Sequence, residues 1–186
     1  TKGATRLNAV AVSSEGIYMV GDSYTETVDD LFDGVKQPKG IVVKFPLNAP
    51  PLDNPSDVYG SIWHVQTPAA PGAFTNGGYE ELLAVTTAVE TNNTYIYVTG
   101  DGQANTTNFG RMFISKLDTD GNVIWTTNDV SASVTTNYSA GRAITTLGTN
   151  IYVAGGNADS GVTNGYLLKF DVNGSLIWSN TTPFIG

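Results

Sequence analysis

Apolar residues along this chain come in short runs separated by turn formers, and no stretch keeps a helical stripe. Gly, Pro or Asn interrupts nearly every window long enough for a helix. The runs recur in a fixed order. A strand of small and β-branched residues comes first: Ala9-Val10-Ala11-Val12, Ala84-Val85-Thr86-Thr87-Ala88-Val89 and Ala143-Ile144-Thr145-Thr146. An Ile-Tyr-x-x-Gly strand follows: Ile17-Tyr18-Met19-Val20-Gly21, Ile96-Tyr97-Val98-Thr99-Gly100 and Ile151-Tyr152-Val153-Ala154-Gly155. Next is an apolar strand with one lysine, at Val43-Lys44-Phe45, Ser115-Lys116-Leu117 and Leu168-Lys169-Phe170. Each unit closes on Ile-Trp, at Ile62-Trp63, Ile124-Trp125 and Ile177-Trp178, which hold all 3 tryptophans. The pattern predicts four strands per unit and an all-β chain.

The units run over about 6–67, 80–128 and 141–181, within a single repeat domain covering 1–186. Unit one is swollen by an acidic insertion at 24–40 and a proline-rich one at 46–60; residues 68–79 link it to unit two. The near-continuous apolar third strands, such as Met112-Phe113-Ile114 and Tyr166-Leu167-Leu168, predict sheets packed on both faces. Strands three and four are joined by Asp118-Thr119-Asp120-Gly121-Asn122 and Asp171-Val172-Asn173-Gly174-Ser175. Asp-Gly and Asn-Gly predict hairpin turns with positive φ at both positions. Unit one carries its proline-rich insertion in place of this short turn.

Four short strands repeating every 40–50 residues or so are the signature of β-propeller blades. Small first strands suit the crowded axis of such an assembly. The pattern Ile-Tyr-Val-x-Gly, then apolar-x-Lys-Leu-Asp-x-x-Gly-x-x-Ile-Trp, resembles the extracellular β-propeller repeats called SBBP repeats. Leu117-Asp118-Thr119-Asp120-Gly121-Asn122-Val123-Ile124-Trp125 is also similar to the docking turn of PQQ-type quinoprotein propellers, and Phe170 through Trp178 matches with Phe for Leu. The resemblance implies three four-stranded antiparallel blades of an extracellular or cell-surface protein. It implies nothing specific about activity, since propellers host unrelated functions. Closed propellers have four to eight blades, so three predict part of a larger ring or an oligomeric assembly.

The formal net charge of −8 disfavours a nucleic-acid partner, which needs a basic footprint. There is no cysteine, hence no disulfide, thiolate metal site or Cys nucleophile. No apolar run is long enough for a membrane-spanning helix, so no membrane insertion is expected.

Candidate chemistry is sparse. His64 is the single histidine and lacks the partners that nucleophilic or metal chemistry requires; it reads as structural. Asp118, Asp120 and Asn122 alternate as oxygen ligands of Ca²⁺ can, but Gly121 comes early and no distal Glu completes the set. The same residues suit an ordinary turn. Lys44, Lys116 and Lys169 recur once per unit, which points to packing, with stems on apolar surface and ammonium groups in water. The tryptophans read as core or blade-to-blade anchors. Asp22 and Asp101 follow the second strand in units one and two, while unit three has Gly156, which marks that rim as a place to look. Asn92, Asn105, Asn137, Asn173 and Asn180 head Asn-x-Ser/Thr sequons and are candidate glycosylation sites. Phe32, Tyr59, Phe74 and Tyr79, in the unrepeated loops, are candidate interface residues.

The expected function is therefore a non-catalytic structural or interaction scaffold without a cofactor, Ca²⁺ aside. It would associate with itself or with other surface proteins, with glycans as further partners. A carbohydrate-binding propeller and a fragment of a quinoprotein-like enzyme are the alternatives.

Overall fold

The computed structural model describes residues 5–23, 39–48, 63–66, 80–102, 110–127, 138–159 and 162–183, with backbone alone at 63–66. The described residues form strands and turns, and no helix. The first sheet is β1 (Thr5–Ser13), β2 (Gly16–Ser23), β3 (Lys39–Phe45) and β4 (Trp63–Gln66). The second is β5 (Glu80–Glu90), β6 (Asn93–Gly102), β7 (Arg111–Leu117) and β8 (Val123–Thr127). The third is β9 (Tyr138–Leu147), β10 (Asn150–Asp159), β11 (Val162–Asp171) and β12 (Leu176–Pro183). Each sheet is an antiparallel meander in chain order, and none closes on itself.

The second sheet packs between the other two, and strand alternation divides its side chains between two cores. Ile96, Val98, Phe113 and Leu117 turn to the first sheet, meeting Tyr18, Val20 and Val42. Tyr97, Met112 and Ile114 turn to the third, meeting Ile151, Val153, Tyr166, Leu168 and Phe170. Residues Met112 to Leu117 are consequently all buried, the physical reason for the apolar third strand. Each large side chain buried here contributes about 1.5–3 kcal/mol. In the third sheet, by contrast, Leu167 is exposed, on a face that no other described sheet covers.

A bulge recurs in every first strand. The β1–β2 register slips between Leu7 and Ala9, and the β5–β6 register between Leu82 and Ala84. The β9–β10 register slips opposite Ala154 and Gly155, skipping Arg142. Such a bulge bends the strand and drives its backbone toward the neighbour. The glycine ending each Ile-Tyr-x-x-Gly lies there. A Cβ on Gly21, Gly100 or Gly155 would collide with the carbonyl oxygen of Arg6, Glu81 or Ala140 respectively. The motif's glycine is a clearance inside a strand, not a turn residue.

The turns depart from expectation in an instructive way. At Asp-x-x-Gly only Gly121 (φ 89°) and Gly174 (φ 85°) take positive φ; Asp120 and Asn173 do not. Gly121 N–H donates to the Asp118 carbonyl at 3.2 Å and Asp118 N–H to that of Asn122 at 3.0 Å. This is a three-residue loop whose glycine forms a G1 bulge, not a two-residue turn. The two-residue turn with both φ positive occurs at Thr91 (46°) and Asn92 (74°), where the sequence carries no glycine.

A β-branched residue is strained at positive φ. Thr91→Asn, which keeps the neighbouring sequon, is expected to stabilise the fold by about 1 kcal/mol. Gly100→Ala is expected to cost on the order of 1–3 kcal/mol through overpacking. Urea unfolding of both variants checks the two signs.

Candidate functional site

The three recurring motifs are one structure seen on three strands. Tyr18 pairs with Lys44 and Lys44 with Trp63. Tyr97, Lys116 and Trp125 align likewise, as do Tyr152, Lys169 and Trp178. Each triplet makes a row across strands two, three and four of its sheet. The lysine ammonium lies over the tyrosine ring at 5.6, 5.5 and 5.7 Å in the three rows.

In the first two sheets the row is covered by the Asp-x-x-Gly turn of the following sheet. Lys44 Nζ donates to the carbonyl of Thr119 at 2.9 Å. Lys116 Nζ donates to Glu90 Oε2 at 2.8 Å and, at 3.4 Å, to the carbonyl of Val172, the equivalent turn residue. Trp125 Nε1 reaches that same carbonyl at 3.1 Å. Lys44 and Lys116 are each only 7% exposed, so the expectation that their ammonium groups sit in water is corrected. A buried ammonium is tolerable only with acceptors around it, and the next sheet's turn supplies one. Trp125 acts as the inter-sheet anchor expected of it; the side chain of Trp63 lies outside the described residues.

The third row has the same internal geometry, with the Tyr152 and Trp178 rings 6.4 Å apart against 6.1 Å for Tyr97 and Trp125. No sheet covers it. Trp178 is 38% exposed, and beside it Ala143, Ala154, Leu167 and Tyr152 line a shallow apolar concavity of about 120 Å³.

The turn that does the covering is held by its aspartate. Asp118 Oδ1 accepts from the N–H groups of Asp120 and Asn122, and Oδ2 accepts from Asn122 Nδ2. Asp171 Oδ1 accepts from Asn173 and Ser175 in the same way. Burial raises the Asp118 pKa, and the bonds from Asn122, Asp120 and Gly121 outweigh it, holding the carboxyl below its ordinary value. Both carboxylate oxygens of Asp118 are thus already accepting bonds within the turn. Among the described residues, no cluster of three or more His, Asp or Glu side chains is placed to hold a metal.

A second polar zone lies at the other end of the strands. Asp22, fully buried, accepts from Arg6 Nε at 3.0 Å, and Arg6 also pairs with Glu81 of the second sheet. Asp101, 1% exposed, bonds the Tyr138 hydroxyl of the third sheet. Burial, then the charge of Asp101, pushes the Tyr138 phenol up to about 12 against the opposing pull of Arg142. Tyr166 is raised by burial and then by Asp101; Tyr97 is raised by burial and then by Glu90. The rim aspartates of units one and two therefore join neighbouring sheets.

Of the other sequence candidates, Asn92 and Asn173 are exposed in turns, and Asn180 lies within β12 opposite Leu167. Asn105, Asn137, Phe32, Tyr59, Phe74 and Tyr79 lie outside the described residues, as does the side chain of His64 on β4. Sequence reasoning missed the Tyr–Lys–Trp row as a unit. The signal was present in the constant order of the motifs, but only the strand register makes it a row.

No family model matches the chain, and no curated protein matches it. Among solved structures, it is similar to that of a putative hydrolase from Bacteroides ovatus ATCC 8483, at 9% identity and a TM-score of 0.45. The alignment covers 100% of this chain and 46% of that one, so the chain spans under half of its length.

Removing Lys116 takes the cation from the part-buried Glu90 carboxylate, which among the described residues keeps only the Tyr97 hydroxyl, and leaves the Val172 carbonyl to Trp125; Lys116→Ala is expected to cost about 3 kcal/mol. Lys169→Ala, in the uncovered row, is expected to cost less than about 0.5 kcal/mol in dilute solution. Equal losses in chemical denaturation would show that the turn contributes nothing to the row.

A folded-state pKa raised above the unfolded value gives stability that is present below pH 10 and lost as pH rises through the folded value. Tyr138, Tyr97 and Tyr166 are accordingly expected to stay protonated past pH 10 and to ionise together with unfolding near pH 12 and above. Ultraviolet phenolate absorbance followed alongside circular dichroism checks this.

Proposed function

We propose that the chain is a non-catalytic scaffold of extracellular or cell-surface location, built from propeller-type blades that join face to face. Its work is assembly, as a subunit of a surface layer or filament, and its partners are further units of like construction. The observation carrying this reading is the third Tyr–Lys–Trp row, complete in itself and, among the described residues, without the covering turn that its two counterparts have. The distinctive residues recur, and in each place where they are covered they join sheets. Recurrence of this kind fits a structural task better than a single reaction centre. The exposed sequon residues Asn92 and Asn173 and the acidic surface fit an extracellular setting.

The natural polypeptide is expected on the outside of cells, in particles larger than one chain. Surface labelling of intact cells, followed by sedimentation of the labelled material, tests this. Recovery solely from the cell interior, or as single chains at every concentration, would remove the reading.

A further inference from the structure

The two interfaces inside the chain are built from the same two kinds of face. One side presents the Tyr–Lys–Trp row; the other presents an apolar face and an Asp-x-x-Gly turn. In the second sheet the apolar face is Leu82, Val85, Ile96, Val98, Phe113 and Leu117, all buried on the first sheet. Strand register places Leu7, Val10, Ile17, Met19, Ile41 and Phe45 of the first sheet at the corresponding positions. Leu7 and Val10 pair with Gly21 and Met19 as Leu82 and Val85 pair with Gly100 and Val98. Alternation turns these side chains away from the second sheet, and Leu7 and Val10 are 46% and 57% exposed. Among the described residues the chain therefore ends in a Tyr–Lys–Trp row on one outer sheet and the matching apolar face on the other, each partly exposed.

We infer that the outer face of the third sheet, centred on Tyr152, Lys169 and Trp178, binds the outer face of the first sheet of a second copy of this chain. The contact is head to tail. Its chemistry is that of the two interfaces already inside the molecule: Lys169 Nζ and Trp178 Nε1 donate to a carbonyl of the partner, and Leu167 and Ala154 pack on its Val10 and Met19. A second copy is favoured over an unrelated protein because this chain itself carries, on its two outer sheets, a Tyr–Lys–Trp row and the apolar face that such rows meet inside the molecule. A heterologous contact either closes into a ring or continues as a filament. The inference rests on the scaffold reading and makes it specific.

The test is analytical ultracentrifugation of the whole chain over a wide concentration series, with two singly defective variants. Trp178→Ala combined with Lys169→Glu disables the third-sheet face, and Val10→Asp disables the first-sheet face. All three residues are outside the internal cores, and circular dichroism checks that the variants fold. The unaltered chain is expected to associate, and each variant alone to associate at least about tenfold more weakly. An equimolar mixture of the two variants is expected to give a heterodimer that grows no further, because each retains the face the other lacks. If the unaltered chain stays monomeric throughout, the inference and the scaffold reading both fall. If it associates but the variants do so equally well, or their mixture gives no heterodimer, this interface is wrong while assembly through another surface stands. Association only with a different protein would overturn the second copy as occupant.

Discussion

A lysine ammonium buried between two β-sheets is the constraint around which this molecule is arranged. Such a group must find acceptors or remain in water. Lys44 and Lys116 find theirs in a carbonyl that belongs to the next sheet, Thr119 in one case and Val172 in the other. That carbonyl is presented by a turn whose shape depends on Asp118 or Asp171 accepting the turn's own N–H groups. The tyrosine ring beneath the ammonium and the tryptophan beside it complete the seat. Residues that look like separate motifs are thus parts of a single latch.

The latch works because the sheets approach closely elsewhere. Within each sheet, Gly21, Gly100 and Gly155 leave room for the bulged backbone of the first strand. The first strands then contact one another in succession. Thr87 Oγ1 donates to the Val12 carbonyl at 3.4 Å, and Thr146 Oγ1 to the Thr87 carbonyl at 3.5 Å. Val12, Thr87 and Thr146 occupy equivalent positions, each opposite the isoleucine of Ile-Tyr-x-x-Gly, while lysine and turn join the sheets at another level. Arg6, bridging Asp22 and Glu81, and Tyr138, bonding Asp101, add polar ties at the far end. Every tie runs between consecutive sheets, so each sheet's stability depends on its neighbours, as in repeat proteins generally.

This dependence gives the middle sheet a different physical status from the outer two. Its faces are both dry, and its tyrosine, lysine and third strand are buried. The outer sheets each keep one face that is built to the same pattern but meets solvent. Among the described residues, Asp22 accepts from Arg6, Glu90 from Lys116 and Asp101 from Tyr138, while the second carboxylate oxygen of Asp22 is buried without a hydrogen-bond partner.

Much of the fold was legible in the sequence, because strand periodicity and turn composition are local properties. The antiparallel sheets in chain order follow from runs such as Ile96 to Gly100 and from short polar turns. The turn geometry was only half legible: Asp-Gly marked the right place, but the aspartate's side-chain bonds selected a G1-bulge loop over the two-residue form. Asp22 and Asp101 were noticed at the rim, yet their partners Arg6 and Tyr138 come from other strands and had no local mark. Phe32, Tyr59, Phe74 and Tyr79 fall outside the described residues. What the sequence by itself determined is the repeating unit, its four strands and the residues each repeat must keep. Which side of a sheet a lysine faces, and whether another sheet's turn then buries it, was decided only by tertiary structure, since register and inter-sheet contact join residues far apart along the chain.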